Sequence, residues 1–222
     1  MSSPPNADLI RAPSLTPAQQ TTRRSFRTAS DFRVVKLLKH PHPSEFHSLA
    51  EYLHAGLLEG DPDVASFVPQ PFLLRIGKER YIPDCYVVRR DQIEVMELKP
   101  QGVAPEARVA HLTRFFERHR IRFSVVANES VLEREIEARN WLRIVQTLVR
   151  HQAFITDALE FEILQRVGVR GLTTLGDWVD SGDREASRAK EIALLRLLHR
   201  GELSADLTVH RLDYQTELRV CP

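Results

Sequence analysis

The sequence predicts an α/β protein, with a mixed sheet flanked by helices and then a smaller, mainly helical module. Three observations predict it. Runs rich in β-branched and aromatic residues, YIPDCYVV (81–88), QIEVMELKP (92–100) and IRFSVVAN (121–128), read as strands. Stretches with apolar residues three and four apart lie before, between and after them. From about residue 150 the strand-like runs give way to helical ones.

Composition sets the bounds. A chain of 222 residues suits one large domain or two small ones. At 42% hydrophobic and 27% charged residues it reads as an ordinary globular protein. A formal net charge of +1 gives no global field toward nucleic acid, so such contacts must come from local basic patches. Cys85 and Cys221 form no CxxC pair, which argues against a cysteine zinc site and fits a reducing, cytoplasmic setting. MSSPPNADLIRAPS lacks a positive segment followed by an apolar run, so no secretory signal is expected. No apolar stretch has the length to cross a bilayer, and no membrane partner is expected.

The elements follow in order. Residues 1–30, rich in Ser, Pro, Thr, Ala and Gln, read as a disordered tail. Its basic end, Thr21 to Arg27, reads as a solvated arm or a contact for DNA phosphates. Asp31 to His40 reads as a short strand. HPHP (40–43) is then a loop, with His40 and His42 loop residues rather than metal ligands. Ser44 to Pro62 reads as a helix capped by Ser44, with His47 at the third position and Phe46, Leu49, Leu53 and Leu57 toward the core. VASFVPQPFLLRI (64–76) reads as a strand that Pro69 and Pro71 assign to an edge or a bulge. The runs 81–88 and 92–100 form a hairpin across a short turn. Residues 103–120 read as a helix with Leu112, Phe115 and Phe116 inward, and 121–128 as a buried strand.

A long helix follows over 131–151, with an apolar stripe of Leu132, Ile136, Trp141, Ile144, Val145, Leu148 and Val149. Residues 153–167 read as a helix, and 172–181 as a turn and short helix capped by Thr173 or Thr174. Residues 183–201 read as an amphipathic helix ending at Gly201, and 203–220 as two extended pieces. Three helices and a strand pair are the pattern of a winged-helix-like module. The expected organisation is a tail (1–30), an α/β domain (31–150) and a winged-helix-like domain (151–222).

The chemistry lies in the hairpin. Strand alternation puts Glu97 and Lys99 on one face with Val95, and Met96 and Leu98 on the other. Asp84, directly after Pro83, opens the partner strand and can come level with Glu97. Two carboxylates and an ammonium on one sheet surface suit a hard cation: Asp84 and Glu97 as oxygen ligands, the Leu98 carbonyl as a third, and Mg²⁺ (or Mn²⁺) as the ion. Lys99 would orient a water or offset charge on a phosphate. The other reading of the same residues is an ion-pair ladder across the hairpin.

Pro83-Asp84 with Glu97-Leu98-Lys99 resembles the PD-(D/E)xK nuclease superfamily. The wider order is similar to the TnsA family, the endonuclease subunit of heteromeric transposases. The order runs through Ser48, Leu49 and Glu51; Asp61-Pro62-Asp63-Val64; Gln70-Pro71; Tyr81, Pro83 and Asp84; and Glu97, Lys99 and Pro100. The resemblance covers most of residues 44–215. It implies a restriction-endonuclease-like sheet and Mg²⁺-dependent cleavage of the non-transferred strand at transposon ends. Glu51 would be the helical acidic residue and metal ligand, with Glu45 as its rival, and Asp84 and Glu97 would hold metal. Lys99 would be the catalytic lysine, and Gln70 a support of the site or the sheet edge. The implied partners are double-stranded DNA, a DDE-type transposase subunit, and an AAA+ ATPase regulator docked on the C-terminal domain. The implied location is the bacterial cytoplasm, on the nucleoid when acting. Cys85 departs from the family's bulky apolar residue and reads as packing.

Two further surfaces stand out. Arg114, Arg118, Arg120 and Arg122, with His119, form a basic cluster that could lie on a phosphate backbone. Arg184, Arg188, Lys190 and Arg196 decorate the amphipathic helix, interleaved with Asp183, Glu185 and Glu191, which favours partner docking over DNA reading. The alternatives are a stand-alone restriction- or repair-type nuclease and a non-catalytic assembly module.

Overall fold

The structure, a computed structural model, describes residues 10–21 and 31–221. Among them are six α-helices and twelve strands in a mixed α/β arrangement. They divide into two compact units. One takes the described residues up to His54 and Asp63–Glu133; the other takes Ala55–Pro62 and the described residues from Arg134 on.

The first unit begins inside the stretch that composition assigns to a disordered tail. Strand β1 (Ile10–Arg11) pairs antiparallel with a later strand, Ile10 opposite Ile76, and Ile10 is buried. Further on, Ala18 N–H donates to Pro71 O and Gln20 N–H to Gln70 O. Tertiary pairing overrides local composition for residues 10–21. The basic residues after Thr21 lie outside the described residues.

Strands β2 (Arg33–Lys36) and β3 (Pro43–Phe46) form an antiparallel pair. The pairing corrects the helix start read at Ser44: Ser44 is buried on β3, and Glu45 is a strand residue, not a helical rival to Glu51. Helix α1 runs Leu49–Gly60. Its cap is Ser48, whose Oγ accepts the Glu51 N–H at 3.2 Å and donates to Glu51 Oε1 at 3.0 Å.

Strands β4 (Val64–Pro69), β7 (Cys85–Arg89), β8 (Ile93–Lys99) and β9 (Arg122–Ala127) make a four-stranded sheet in the order β4-β7-β8-β9. The first three are antiparallel neighbours, and β8 pairs β9 in parallel. A parallel pair needs a crossover, and α2 (Glu106–Arg118) provides it. The strand assigned to 64–76 is two pieces. As its prolines require, β4 lies at the sheet edge, with a bulge between Val64 and Ser66. Past Gln70, β5 (Leu74–Ile76) instead joins β1 and β6 (Glu79–Tyr81) in a second sheet, β1-β5-β6.

The core of this unit gathers Phe72, Leu74, Tyr81, Tyr86, Val95, Leu112, Phe116 and Phe123. Side chains of this kind each contribute about 1.5–3 kcal/mol when fully buried. Leu112, Phe115 and Phe116 face inward as their spacing predicts. Val95 belongs to this core, so the β8 face that carries Glu97 and Lys99 continues an apolar layer. The opposite face is also buried, at Met96 and Leu98.

The long helix expected over 131–151 is two: α3 (Asn128–Leu132) and α4 (Glu135–Arg150). Leu132 and Ile136, assigned to its stripe, are exposed, while Ala138, Asn140 and Leu142 are buried. The units part before α4, not at residue 150. The second unit holds α4, α5 (Asp157–Arg170), β10 (Thr173–Thr174), a short 3₁₀ turn over Leu175–Asp177, α6 (Arg188–His199), β11 (Leu203–Ser204) and β12 (Glu217–Val220). Thr174 caps the 3₁₀ turn reciprocally with Asp177. The three short strands form a sheet in the order β10-β12-β11. Asn140 ties α4 to the loop between β11 and β12. Its Nδ2 donates to Leu207 O and His210 O, and its Oδ1 accepts the Leu212 N–H at 2.9 Å.

Candidate active site

Two backbone features bring the acidic residues together. Register pairs Cys85 with Met96 and Tyr86 with Val95, so Asp84, one residue before β7, falls opposite Glu97. Alternation then places Asp84, Tyr86, Val95, Glu97 and Lys99 on one face. Asp84 Oδ2 accepts the Leu98 N–H at 2.7 Å, which fixes the carboxylate against β8. This bond uses the Leu98 amide; the Leu98 carbonyl expected as a metal ligand is a separate group that the bond does not involve.

Glu97 is buried and has a donor on each oxygen. Lys99 Nζ lies 2.6 Å from Oε1, and the Tyr81 hydroxyl donates to Oε2 at 2.6 Å. The Arg108 guanidinium stacks over the Tyr81 ring, 4.9 Å from its centroid, and bonds Glu79 at 3.1 Å. Tyr81, Asp84, Glu97, Lys99, Arg80 and Arg108 line a cavity of about 400 Å³ floored by apolar residues of the core. The lining thus brings carboxylates and cationic side chains together.

The electrostatics are those of crowded negative charge. Burial, and then the charges of Glu97 and Glu51, raise the Asp84 pKa to about 8 against the lowering effect of the Leu98 hydrogen bond and Lys99. Burial, then Glu97 through its charge and hydrogen bond, and then the charge of Asp84 push the Tyr81 phenol far above its ordinary range, so it stays a donor. For Lys99, burial works to lower the pKa, but the Glu97 hydrogen bond and charge, with Asp84, carry it upward. The ammonium therefore stays protonated.

Glu51 is held separately. Besides Ser48, its Oε2 accepts the His47 N–H at 3.2 Å and the Gln70 side-chain amide at 2.9 Å. Its charge acts on Asp84, but it does not line the cavity. Among the described residues no group of three or more His, Cys, Asp and Glu side chains is gathered to hold a metal. The donor set nevertheless suits a hard divalent cation. Mg²⁺ takes one or two protein carboxylates and completes its shell with water and substrate oxygens. Asp84 and Glu97 are such a pair, and no donor among the described residues reaches Asp84 Oδ1.

The arginine cluster stands elsewhere. Arg118 ends α2, Arg120 lies in the turn at φ 59°, and Arg122 opens β9 opposite Glu94. Lys99 is level with Ala127, so this end of the strand pair lies roughly 16 Å from Lys99 at about 3.3 Å per residue. Arg114 and Arg118 are exposed, and Arg122 Nε faces Glu94 at 3.6 Å. In the second unit, Arg184 and Arg188 both pair with the buried Glu191, and Arg196 bonds Thr156 Oγ1, so these cations hold the unit's own fold. His40 is buried with Nδ1 2.7 Å from Ser44 Oγ. Cys85 is buried, and burial pushes its thiol well up, consistent with packing.

Sequence reasoning missed Arg108, because spacing alone does not say which helical arginine meets a particular strand end. It quoted Tyr81 without a role; a tyrosine three residues before an aspartate was the available signal. No family model and no curated protein matches this chain.

Proposed function

We propose that the protein is a metal-dependent DNA endonuclease of the TnsA type, cutting the non-transferred strand at transposon ends. The observation that carries the reading is Asp84 set opposite Glu97 on adjacent strands, with Lys99 bonded to Glu97 and the Asp84 pKa raised to about 8. A buried pair of carboxylates that resists its own charge is a site for a cation. Asp84 and Glu97 would hold Mg²⁺ or Mn²⁺, with Glu51 adding charge from α1. Such an ion, when bound, polarises a phosphoryl group and lowers the pKa of a bound water.

The chain's own residues divide the remaining work. Tyr81 and Lys99 orient the Glu97 carboxylate from its two sides, and the Leu98 amide orients Asp84. The Lys99 ammonium, half-exposed on the cavity wall, offsets charge on a phosphate oxygen. Arg80 and Arg108 give the rim a cationic character that suits a DNA backbone.

The order of elements α1, β4, β7, β8, α2, β9 supports a restriction-endonuclease-like fold for the first unit. Three helical segments with the β10-β12-β11 sheet support a winged-helix-like second unit. With Arg184, Arg188 and Arg196 committed internally, that unit reads as a docking module for an ATPase regulator of the AAA+ class. Delivery of DNA by such partners and by a DDE-type transposase subunit agrees with the low net charge. A bacterial protein acting at the nucleoid follows from this reading. The rival is an assembly module without catalysis, favoured by the full hydrogen bonding of Glu97.

Strand cleavage of an end-labelled duplex in Mn²⁺, with and without a DDE-type transposase subunit, tests the proposal. Cleavage by the wild type, lost in Asp84→Ala and Lys99→Ala, is expected. Cleavage that survives Asp84→Ala would contradict it.

A further inference from the structure

The segment after β1 is bound to the site through one buried glutamine. Gln70 directly follows β4 with a φ of 40°, a left-handed conformation that a non-glycine residue rarely adopts. Its backbone is pinned on both sides: Gln70 N–H donates to Asp84 O at 2.9 Å, and Gln70 O accepts the Gln20 N–H at 2.9 Å. Its side chain reaches the other way, Nε2 donating to Glu51 Oε2 at 2.9 Å. One residue thus spans the backbone of Asp84 and the carboxylate of Glu51.

The polarity of this link runs one way. An ionised carboxylate only accepts, so Gln70 must present its NH₂ to Glu51 and its oxygen elsewhere. That oxygen accepts from Gln19 Nε2 at 2.8 Å. Gln19 is clamped in turn by Glu45, donating to Glu45 O at 2.8 Å and accepting the Glu45 N–H at 3.2 Å. Flipping either amide would set oxygen against oxygen. Strained backbone persists only where its surroundings over-determine it, and here the surroundings are two acidic residues of the candidate site and the N-terminal segment.

We propose that Gln70 is the positioning residue that sets Glu51 against Asp84, and that Gln19 locks Gln70 in that role. The inference rests on the nuclease reading of the carboxylates. It makes residues 18–20 part of the site's support, and gives a partner that displaced them a means of switching it off.

Mn²⁺ titration of the full chain, followed by electron paramagnetic resonance, tests the relay without catalysis. Asp84→Ala reports on the carboxylate site itself. Gln70→Asn tolerates the left-handed backbone but is too short to reach Glu51, and Gln19→Ala removes the lock at the surface. Each is expected to weaken Mn²⁺ binding by about 10–100-fold, the usual effect of losing a group that orients a ligand. The double variant is expected to be no worse than Gln70→Asn alone, since both act through one amide. Gln19→Ala is also expected to shift the side-chain amide resonances of Gln70, with an unchanged melting temperature in EDTA excluding general unfolding. Wild-type affinity in Gln70→Asn and Gln19→Ala, with binding lost in Asp84→Ala, would overturn the relay and leave the nuclease reading standing. Loss in Gln70→Asn with wild-type affinity in Gln19→Ala would overturn the lock. Absence of Mn²⁺ binding in the wild type would overturn both the relay and the reading beneath it.

Discussion

Asp84 contributes a pH dependence of its own to the metal-free protein. Its pKa is about 8 in the fold and about 3.9 in an unfolded chain. Between these values the folded state holds the proton that the unfolded state has lost, so stability falls as pH rises through the window. The groups facing it, Glu97 and Glu51 against Lys99 and the Leu98 amide, set that direction. Thermal melts in EDTA from pH 5 to 9 are expected to show the wild type losing stability, and Asp84→Asn losing less. A wild-type profile matching that of Asp84→Asn would contradict the raised pKa. Tyr81→Phe removes the donor from a buried oxygen of Glu97 and is expected to destabilise by about 1–3 kcal/mol in urea denaturation. At this scale the sequence was informative where strand alternation applies: Asp84, Glu97 and Lys99 share a face because the period is two. Arg108, Gln19 and Gln70 acquire their roles from contacts distant along the chain, which no local period encodes.

Helix α1 and the β7–β8 hairpin set the site's geometry. Ser48→Ala removes the cap of α1 and a donor to Glu51, with an expected loss of about 1 kcal/mol measured by urea denaturation. Gly60, at the far end of α1, has no room for a side chain: a Cβ would stand 2.1 Å from Trp141 Nε1. Gly60→Ala is therefore expected to destabilise by about 1–3 kcal/mol through overpacking. The hairpin was readable because two strand patterns flank a short polar turn, closed by Arg89 N–H to Gln92 O. The start of α1 was misread because Ser44 and Ser48 are both acceptable caps. The pairing of β3 with β2 excludes the first, and Glu51 at the third position marks the second. Pro69 and Pro71 gave the edge position of β4, but the turn between β4 and β5 depends on Gln70's backbone.

Each compact unit has its own means of cohesion. The first packs an apolar layer under its carboxylates; the second ties its longest loop to Asn140 and buries Glu191 between arginines. Asn140→Ala would leave three backbone groups of the 207–212 loop without their partner, and faster proteolysis or hydrogen exchange there is expected. The α/β class was legible from element order alone. The boundary was not, because α4 has an apolar stripe that suits either neighbour until its partners are known. Among the described residues no helix is long and apolar enough to cross a membrane. The central claim is that the hairpin carboxylates form a cation site for DNA cleavage, and calorimetry of Mn²⁺ binding with a short duplex present tests it most directly. The expected result is a binding heat in the wild type that disappears in both Asp84→Ala and Glu97→Ala. Equal heats in all three proteins, or none in any, would contradict it and leave the hairpin as an ion-pair ladder.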